Sequence, residues 1–475
     1  MTSILWFRRD LRLADNPALN AASAAGPVLP VFMVDEALRG QGAATRWRLE
    51  QSLRALDADL RRRGTALAVV QGGTAEIAAL ARDAGAAEVH ATAWPEPARQ
   101  AADRTVAETL AAQGIRLVLH QGHTLLPPGT VRTGSGGGFK VYTPFARALR
   151  GRGVPAPLQV PKRIVWAPLP ASAGAARDLD LAPDMGRGDA VLVRFGPAAG
   201  EASALDRLHA FRERAAGYAT GRDRPDRPDA TSGLSDALAM GELSPRTLWV
   251  AAETMMGDPA LGAAAEKFMA ELIWRDFAWS LLDDFPQMAA WAWRPGYRTF
   301  PYRSDDGDLH AWQRAMTGEP LVDAGLRELY VTGRMHNRVR MIVASYLTKH
   351  LLLDWRAGLA WFADTLIDWD PASNAMNWQW VAGSGPDASP FFRIFNPATQ
   401  AEKFDPDGEY RARWLYGWRG SRSAAARAYF EAAPRAWGLD PDAPYPAAVR
   451  VDLAAGRLRA LDALSRMRER EVEGG

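Results

Sequence analysis

The chain has 475 residues, with 57 Lys+Arg against 55 Asp+Glu for a formal net charge of +2; at 48% hydrophobic and 24% charged it has the balance of a globular chain long enough for two domains. It contains no cysteine, which removes disulfides, thiol nucleophiles, cysteine-ligated zinc and iron–sulfur clusters in one step, and its 7 histidines show no HExxH-type spacing. The opening residues MTSILWFRRDLRL bring charge in after a few apolar positions, so neither a signal peptide nor a membrane span is expected and a cytoplasmic protein is.

Residues 1 to 130 alternate β-like runs with helical ones, predicting strands at 4–7, 28–34, 66–70, 88–93 and 115–120 and helices at 45–63 and 75–84. Little polar alternation appears inside those strands, so the expectation is a parallel sheet covered on both faces, a doubly wound α/β domain over 1–130. Such sheets take ligands at the carboxyl ends of their strands. No GxGxxG follows the first strand and no GxxxxGK[ST] occurs, while GSGGG at 134–138 reads as a flexible loop rather than a phosphate cradle. Residues 151–200 are rich in Pro, Gly and Ala and predict a surface connector within a linker spanning 131–200. From Glu201 onward the character is helical, predicting an all-α domain over 201–475 without internal repeats, so the fold class is α/β plus all-α. Most of the 18 tryptophans lie after residue 240, which makes the second half chemically distinct.

Within that half, DWDPASNAMNWQW at 368–380 predicts a turn feeding a helix opened by Pro371 and capped by Asp370. Crowded indoles and amides there suit a planar, heteroatom-rich ligand, or else a Trp-rich core turn. In ELIWRDF at 271–277, Glu271, Trp274 and Arg275 share one helical face, either a cavity wall or a surface ion pair beside a core tryptophan. In TGRMHNRVRMIVASYL at 332–347, Asn337, Arg340 and Met341 share a face, and Arg338 points about 100° away toward a different partner such as phosphate. TSGLS at 231–235 sets three hydroxyls and a glycine ahead of a helix with Asp236 in its first turn, an arrangement for phosphate binding or for N-capping. FFRIFNPATQAEK at 391–403 interleaves aromatics with Arg393 and Lys403, as nucleic-acid surfaces do.

Together with WFRRDLRLADNPAL at 6–19, KVYTPF at 140–145, GELSPR at 241–246, MHNRVRM at 335–341 and EKFD at 402–405, these motifs make the chain resemble the photolyase/cryptochrome family nearly end to end, in the manner of cyclobutane pyrimidine dimer (CPD) photolyases of the bacterial class I type. The resemblance implies a Rossmann-like antenna domain followed by a helical domain holding one FAD per chain. It assigns flavin binding to Tyr218, Thr231, Ser232, Leu234, Ser235, Arg275, Arg340, Asp368, Asp370 and Asn374. Glu271, Trp274, Asn337, Met341 and Trp380 fall at the lesion cavity, and Arg222, Arg338, Arg393 and Lys403 at the DNA backbone. An electron relay is implied through Trp378 and Trp355, with Tyr302 at the distal place and Trp361 or Trp369 as alternatives. The implied partner is UV-damaged DNA, the implied chemistry light-driven electron transfer to a flipped-out dimer, and the implied state a monomer without membrane or metal cluster.

Particular positions separate the branches. Photolyases of the (6-4) type carry two histidines where this chain has Asn337 and Met341, and neither is an acid near neutral pH. Asn374 stands where plant cryptochromes commonly place an aspartic acid facing the flavin N5. These features favour CPD repair over a cryptochrome-like light receptor or a (6-4) enzyme. Ala98 and Arg99 replace the Asn and Glu of folate-binding relatives, which leaves a deazaflavin, a folate held otherwise, a second flavin or an empty site as antenna. Arg334 replaces a family tryptophan, and Gly233 an arginine.

Overall fold

The structure is a computed structural model that describes residues 1–171, 173–185, 188–387, 392–443, 445 and 448–473; Phe391, the first residue of the aromatic–basic run, lies outside the described residues. The chain forms two compact units, the first built from 1–183, 198–216 and 232–286 and the second from the remaining segments.

The first unit holds a six-stranded sheet of order β5-β4-β1-β2-β3-β6, with β1 Thr2–Phe7, β2 Val28–Val34, β3 Ala68–Gln71, β4 Ala86–Thr92, β5 Arg116–His120 and β6 Gly174–Ala175. The first five strands are parallel, with Ile4 registered between Leu29 and Val89. Alternation sends Leu5, Phe7, Phe32 and Val34 into one apolar cluster and Ile4, Trp6, Leu29 and Val31 into another, so both faces are buried and the strands read as continuous apolar runs. Helices Pro17–Ala25, Ala43–Arg62, Thr74–Asp83 and Pro97–Ala111 supply the covering layers and crossovers.

The connector predicted over 151–200 is more than a connector. Its residues 174–175 pair antiparallel with Val69 and Ala68 as β6, Trp166 bridges Val28, and Gly188–Phe195 is helical. A strand of two residues has no periodicity to show, and its pairing is set by an edge roughly a hundred residues earlier rather than by local propensity. The GSGGG run closes into a turn, with Gly136 N–H donating to the Thr133 carbonyl and Thr133 N–H to the Gly137 carbonyl, both at 2.9 Å.

A buried charge network fixes the helices behind the sheet. The Arg48 guanidinium donates to Asp236 and Glu242 at 2.7 Å each, with all three side chains fully buried. Arg207 adds a bond to Asp236 at 2.9 Å, and Glu242 also accepts from Ser52 Oγ and Gly200 N–H at 2.7 Å. Such a network survives desolvation because its charges are multiply paired, and losing one partner of a buried pair costs about 3–5 kcal/mol.

The second unit is helical: Pro320–Thr332, Asn337–Ser345, Trp355–Thr365, Pro371–Ala382, Pro397–Phe404 and Leu453–Glu473 are its principal described elements. Pro320–Thr332 runs through its core and carries Glu328, whose carboxylate accepts from Tyr410 Oη at 2.5 Å and from His336 N–H at 3.1 Å. Burial pushes the Glu328 carboxyl from 4.5 up to about 7 even though both donors pull it down. The folded chain therefore holds a proton that the unfolded chain releases, so this group's contribution is full below pH 4.5 and is lost as pH rises to about 7. A shift of this size is worth about 3 kcal/mol, so Glu328→Gln should gain that much stability relative to the parent between acid conditions and about pH 8 in denaturant unfolding. An unchanged stability difference at the two pH values would contradict it.

Candidate functional site

In the first unit the Gly262–Asp284 helix presents Glu271, Trp274 and Arg275 on one side, as their spacing predicts. Trp274 lies flat on Tyr142, with ring centroids 3.7 Å apart and planes 4° apart, and Tyr142 Oη donates to the Ala270 carbonyl at 3.0 Å. Burial, with Glu271 nearby, pushes the Tyr142 phenol up to about 12, so it stays a neutral donor. Glu271 is partly exposed and lies 3.4 Å from Lys267 one turn away. Arg275 turns to His123, donating to its carbonyl at 2.7 Å and reaching its ring Nε2 at 2.9 Å. Burial, then the neighbouring arginines, holds the His123 imidazole well below its usual range and hence neutral. Tyr142, within KVYTPF, and His123 join the predicted residues through contacts far away in sequence, which no local pattern signals.

At TSGLS, Leu234 rather than a hydroxyl residue takes the N-cap of the Ser235–Met240 helix, without a side-chain capping bond. Of the two uses predicted for this stretch, capping by a serine is therefore not realised at that position. Gly233 has φ +63, where an arginine would be strained, so its glycine follows from the backbone. Ser232 and Ser235 flank the Gly233–Leu234 pair, and Asp236 is committed to Arg48 and Arg207.

In the second unit the Pro371–Ala382 helix begins as predicted: Pro371 is its first residue, and the Asp370 carboxylate caps it by accepting from Ser373 N–H at 2.8 Å. Just ahead, Asp368 pairs with Arg340 at 2.7 Å, and Arg340 Nε also donates to the Met335 carbonyl at 2.8 Å. Asn374 Nδ2 donates to the Leu359 carbonyl at 3.1 Å. Trp378 is buried edge-on to Phe362 at 5.0 Å and to Trp312 at 6.3 Å, and its indole N–H has no partner among the described residues. Trp355 is buried under Arg356, and Tyr302 packs on Phe300 at 4.7 Å, with burial raising its phenol pKa. Neither makes a ring contact with Trp378 among the described residues. Trp361 packs on Tyr330 at 5.8 Å, and the indole N–H groups of Trp361 and Trp369 are buried without partners among the described residues. Nothing local in the sequence sets Trp312 apart from the other tryptophans.

The Asn337–Ser345 helix gathers the cations. Its N-cap is His336, whose Nδ1 accepts from Arg338 N–H at 3.2 Å, and burial lowers that imidazole to about 4. Asn337 is exposed, with Met341 one turn on. Arg338 does point elsewhere: it pairs with Asp223 at 2.7 Å, stacks on Phe404 at 4.6 Å and reaches the Met341 sulfur at 4.0 Å. Asp223 also lies 3.7 Å from Arg222, which sits 5.8 Å from the Tyr218 ring, and Lys403 lies over the same Phe404 at 5.2 Å. Arg222, Arg338 and Lys403 thus converge on Asp223 and Phe404, an arrangement set by residues far apart in sequence. Arg393 stands apart, 5.4 Å over the Trp380 ring, whose Nε1 donates to the Asp387 carbonyl at 3.2 Å.

Two family profiles match the chain, "DNA photolyase" over residues 3–162 and "FAD binding domain of DNA photolyase" over residues 268–466. A deoxyribodipyrimidine photo-lyase from Agrobacterium fabrum is 44% identical over 420 residues, covering 87% of this chain and 86% of the relative. This chain belongs to the DNA photolyase family. Among solved photolyase structures, a bacterial class III photolyase from Agrobacterium tumefaciens superposes with TM-score 0.88 at 41% identity, over 98% of both chains. An archaeal photolyase from Sulfolobus tokodaii, described with two FAD molecules, superposes with TM-score 0.77 at 26% identity, over 98% of this chain and 100% of its own.

The residues present fit the photolyase flavin. Around the start of the Pro371–Ala382 helix the second unit offers the Arg340–Asp368 pair, the Asn374 amide and the buried Trp369 indole N–H, unpartnered among the described residues, which is the donor and acceptor set a flavin edge needs. On the antenna side Arg99 is ion-paired with Asp35, so that position offers no carboxylate for a folate of the usual kind.

Trp378 has its place because Gly358 has no side chain. A Cβ there would lie 2.1 to 2.6 Å from the Trp378 six-membered ring. Gly358→Ala should cost about 1–3 kcal/mol by overpacking and slow light-driven reduction of bound flavin, read by unfolding and by transient absorbance. Parent-like values in both would contradict this packing.

Proposed function

We propose that this chain repairs cyclobutane pyrimidine dimers in UV-damaged DNA under blue light, as an FAD-dependent deoxyribodipyrimidine photo-lyase. The observation that carries the reading is the Asn337–Ser345 helix: exposed Asn337 and half-buried Met341 offer an uncharged face beside the cations Arg338, Arg222 and Lys403 gathered on Asp223 and Phe404. A neutral edge to meet bases beside a cationic rim to meet phosphates is the division of labour a DNA lesion requires. A dimerised base pair stacks poorly, so flipping it out costs only a few kcal/mol, and stacking on aromatic residues returns about 1–3 kcal/mol per base.

In this reading Trp274 and Trp380 take the stacking, Glu271 and Asn337 bond the polar edges of the thymines, and Met341 supplies apolar contact. Arg222, Arg338, Arg393 and Lys403 meet the phosphates. Tyr218, Thr231, Ser232, Leu234, Ser235, Arg275, Arg340, Asp368, Asp370 and Asn374 hold the FAD, which when reduced and excited supplies the electron that opens the cyclobutane ring and takes it back. Trp378, Trp355 and Tyr302 carry electrons inward to keep that cofactor reduced. Antenna function belongs to residues 1–130 and repair to 201–475, with 131–200 between them lending β6 to the sheet. A full set of these residues on one chain supports a monomer as the working form, and a DNA substrate supports a cytoplasmic location.

A (6-4) enzyme needs imidazoles at the lesion. The neighbouring His336 cannot substitute, because its ring is engaged as a helix cap and is neutral down to about pH 4. A light receptor has no use for Glu271, Trp274 and Asn337 together.

Glu271→Ala removes a charge-assisted hydrogen bond worth about 1.5–3 kcal/mol, so lesion affinity should fall about ten- to hundred-fold at unchanged flavin content. Loss of flavin in the purified variant would instead place Glu271 against the cofactor.

A further inference from the structure

Behind the pair Trp380 and Arg393 lies a buried amine that the reading above does not use. The Asn337–Ser345 helix runs on into a single π-helical turn, Tyr346–His350, whose five residues are all buried. A π turn takes in one extra residue, which rotates everything after it by about 100° around the axis and re-aims side chains; such turns recur at functional sites. Here the re-aimed side chain is Lys349, 1% exposed and paired with no carboxylate among the described residues. A lone ammonium is costly to bury. Burial lowers the Lys349 amine well below its usual range, and its part in the fold is that of a hydrogen-bond donor.

Its two partners define what that donor does. Nζ donates to the Ala382 carbonyl at 2.5 Å, at the end of the helix that carries Trp380, and lies 3.5 Å from the ring centroid of Phe392, the residue before Arg393. Four residues earlier, Ser345 Oγ accepts from Phe395 N–H at 3.0 Å. The opposite side of the turn is closed by the Leu453–Glu473 helix, where Gly456 lies so near that a Cβ would be 3.0 Å from the His350 backbone, and Arg459 donates to the His350 carbonyl. One rigid segment therefore grips the backbone next to Trp380 and next to Arg393, and these two lie 5.4 Å apart as a cation over an indole.

We propose that Lys349, assisted by Ser345, is a positioning residue for the lesion-facing pair Trp380 and Arg393, setting their separation before DNA arrives. This rests on the reading that Trp380 and Arg393 face the damaged DNA. Plain packing would need only an apolar side chain of the same length. Lys349→Met supplies that length without the donor.

The test compares Lys349→Met and Ser345→Ala with the parent holoenzyme in two assays. Amide exchange of peptides spanning 392–395 in DNA-free protein should speed up several-fold in both variants. Affinity for a thymine-dimer oligonucleotide should fall about ten-fold, affinity for the undamaged oligonucleotide, which loses only the Arg393 phosphate contact, should fall about two- to three-fold, and flavin content should stay at the parent level, a split that general destabilisation does not produce. Faster exchange with parent-like lesion affinity would keep the clamp but remove Trp380 and Arg393 from the lesion. Parent-like exchange in both variants, or equal losses on damaged and undamaged DNA, would overturn the proposal; if Lys349→Met does not fold, Ser345→Ala alone decides.

Discussion

The Pro371–Ala382 helix has to bury amides and indoles together, and every one of those groups must find a partner or leave a donor for a ligand. Its solution is specific on each side. Gln379 accepts from Trp293 N–H at 2.7 Å and donates to the Met288 and Trp291 carbonyls, Asn374 donates to Leu359, and Asp370 closes the first turn. Trp378 is pressed onto the backbone at Gly358 and keeps an unanswered N–H, while the last carbonyl, on Ala382, takes the buried Lys349 amine. A helix tied at so many points has little freedom to shift. That rigidity suits chemistry in which an electron must cross to a substrate before the excited state decays, since orientation is then fixed beforehand rather than on demand.

Electrostatics divide along the same lines. In the first unit charge is sequestered: Arg48, Asp236 and Glu242 neutralise one another out of contact with water, with partly exposed Arg207 at their edge. In the second, cations reach the surface, and one carboxylate, Asp223, holds Arg222 and Arg338 together despite their like charge. Asp223 thus does for the free chain what phosphates would do in a complex, and exchanging it for phosphate contributes little net charge pairing but adds counterion release.

What could be read from the sequence was local. The β2 strand at 28–34 and the Asp370–Pro371 helix start follow from apolar runs and capping chemistry, and both stand at the predicted residues. The remaining parallel strands shift by at most two residues at either end, the usual uncertainty of frayed termini. What could not be read depends on distant partners. β6 exists only because β3 offers an edge; Arg338 finds Asp223 more than a hundred positions away; Gly358 matters only because Trp378 lies on it. Lys349 is the sharpest case, since nothing in YLTKH marks its lysine as buried. The family motifs made the site residues nameable, but not their present partners: Arg275 on His123 and Trp274 on Tyr142 are facts of packing.

The central claim, light-driven repair of pyrimidine dimers, is tested most directly with the reduced, anaerobic holoprotein and a thymine-dimer oligonucleotide, following recovery of thymine ultraviolet absorbance under blue light and in darkness. Recovery in the light and none in the dark is the predicted result. No recovery in the light, from protein that binds FAD and photoreduces it, would contradict the account and leave a flavin photoreceptor or a (6-4) enzyme in its place.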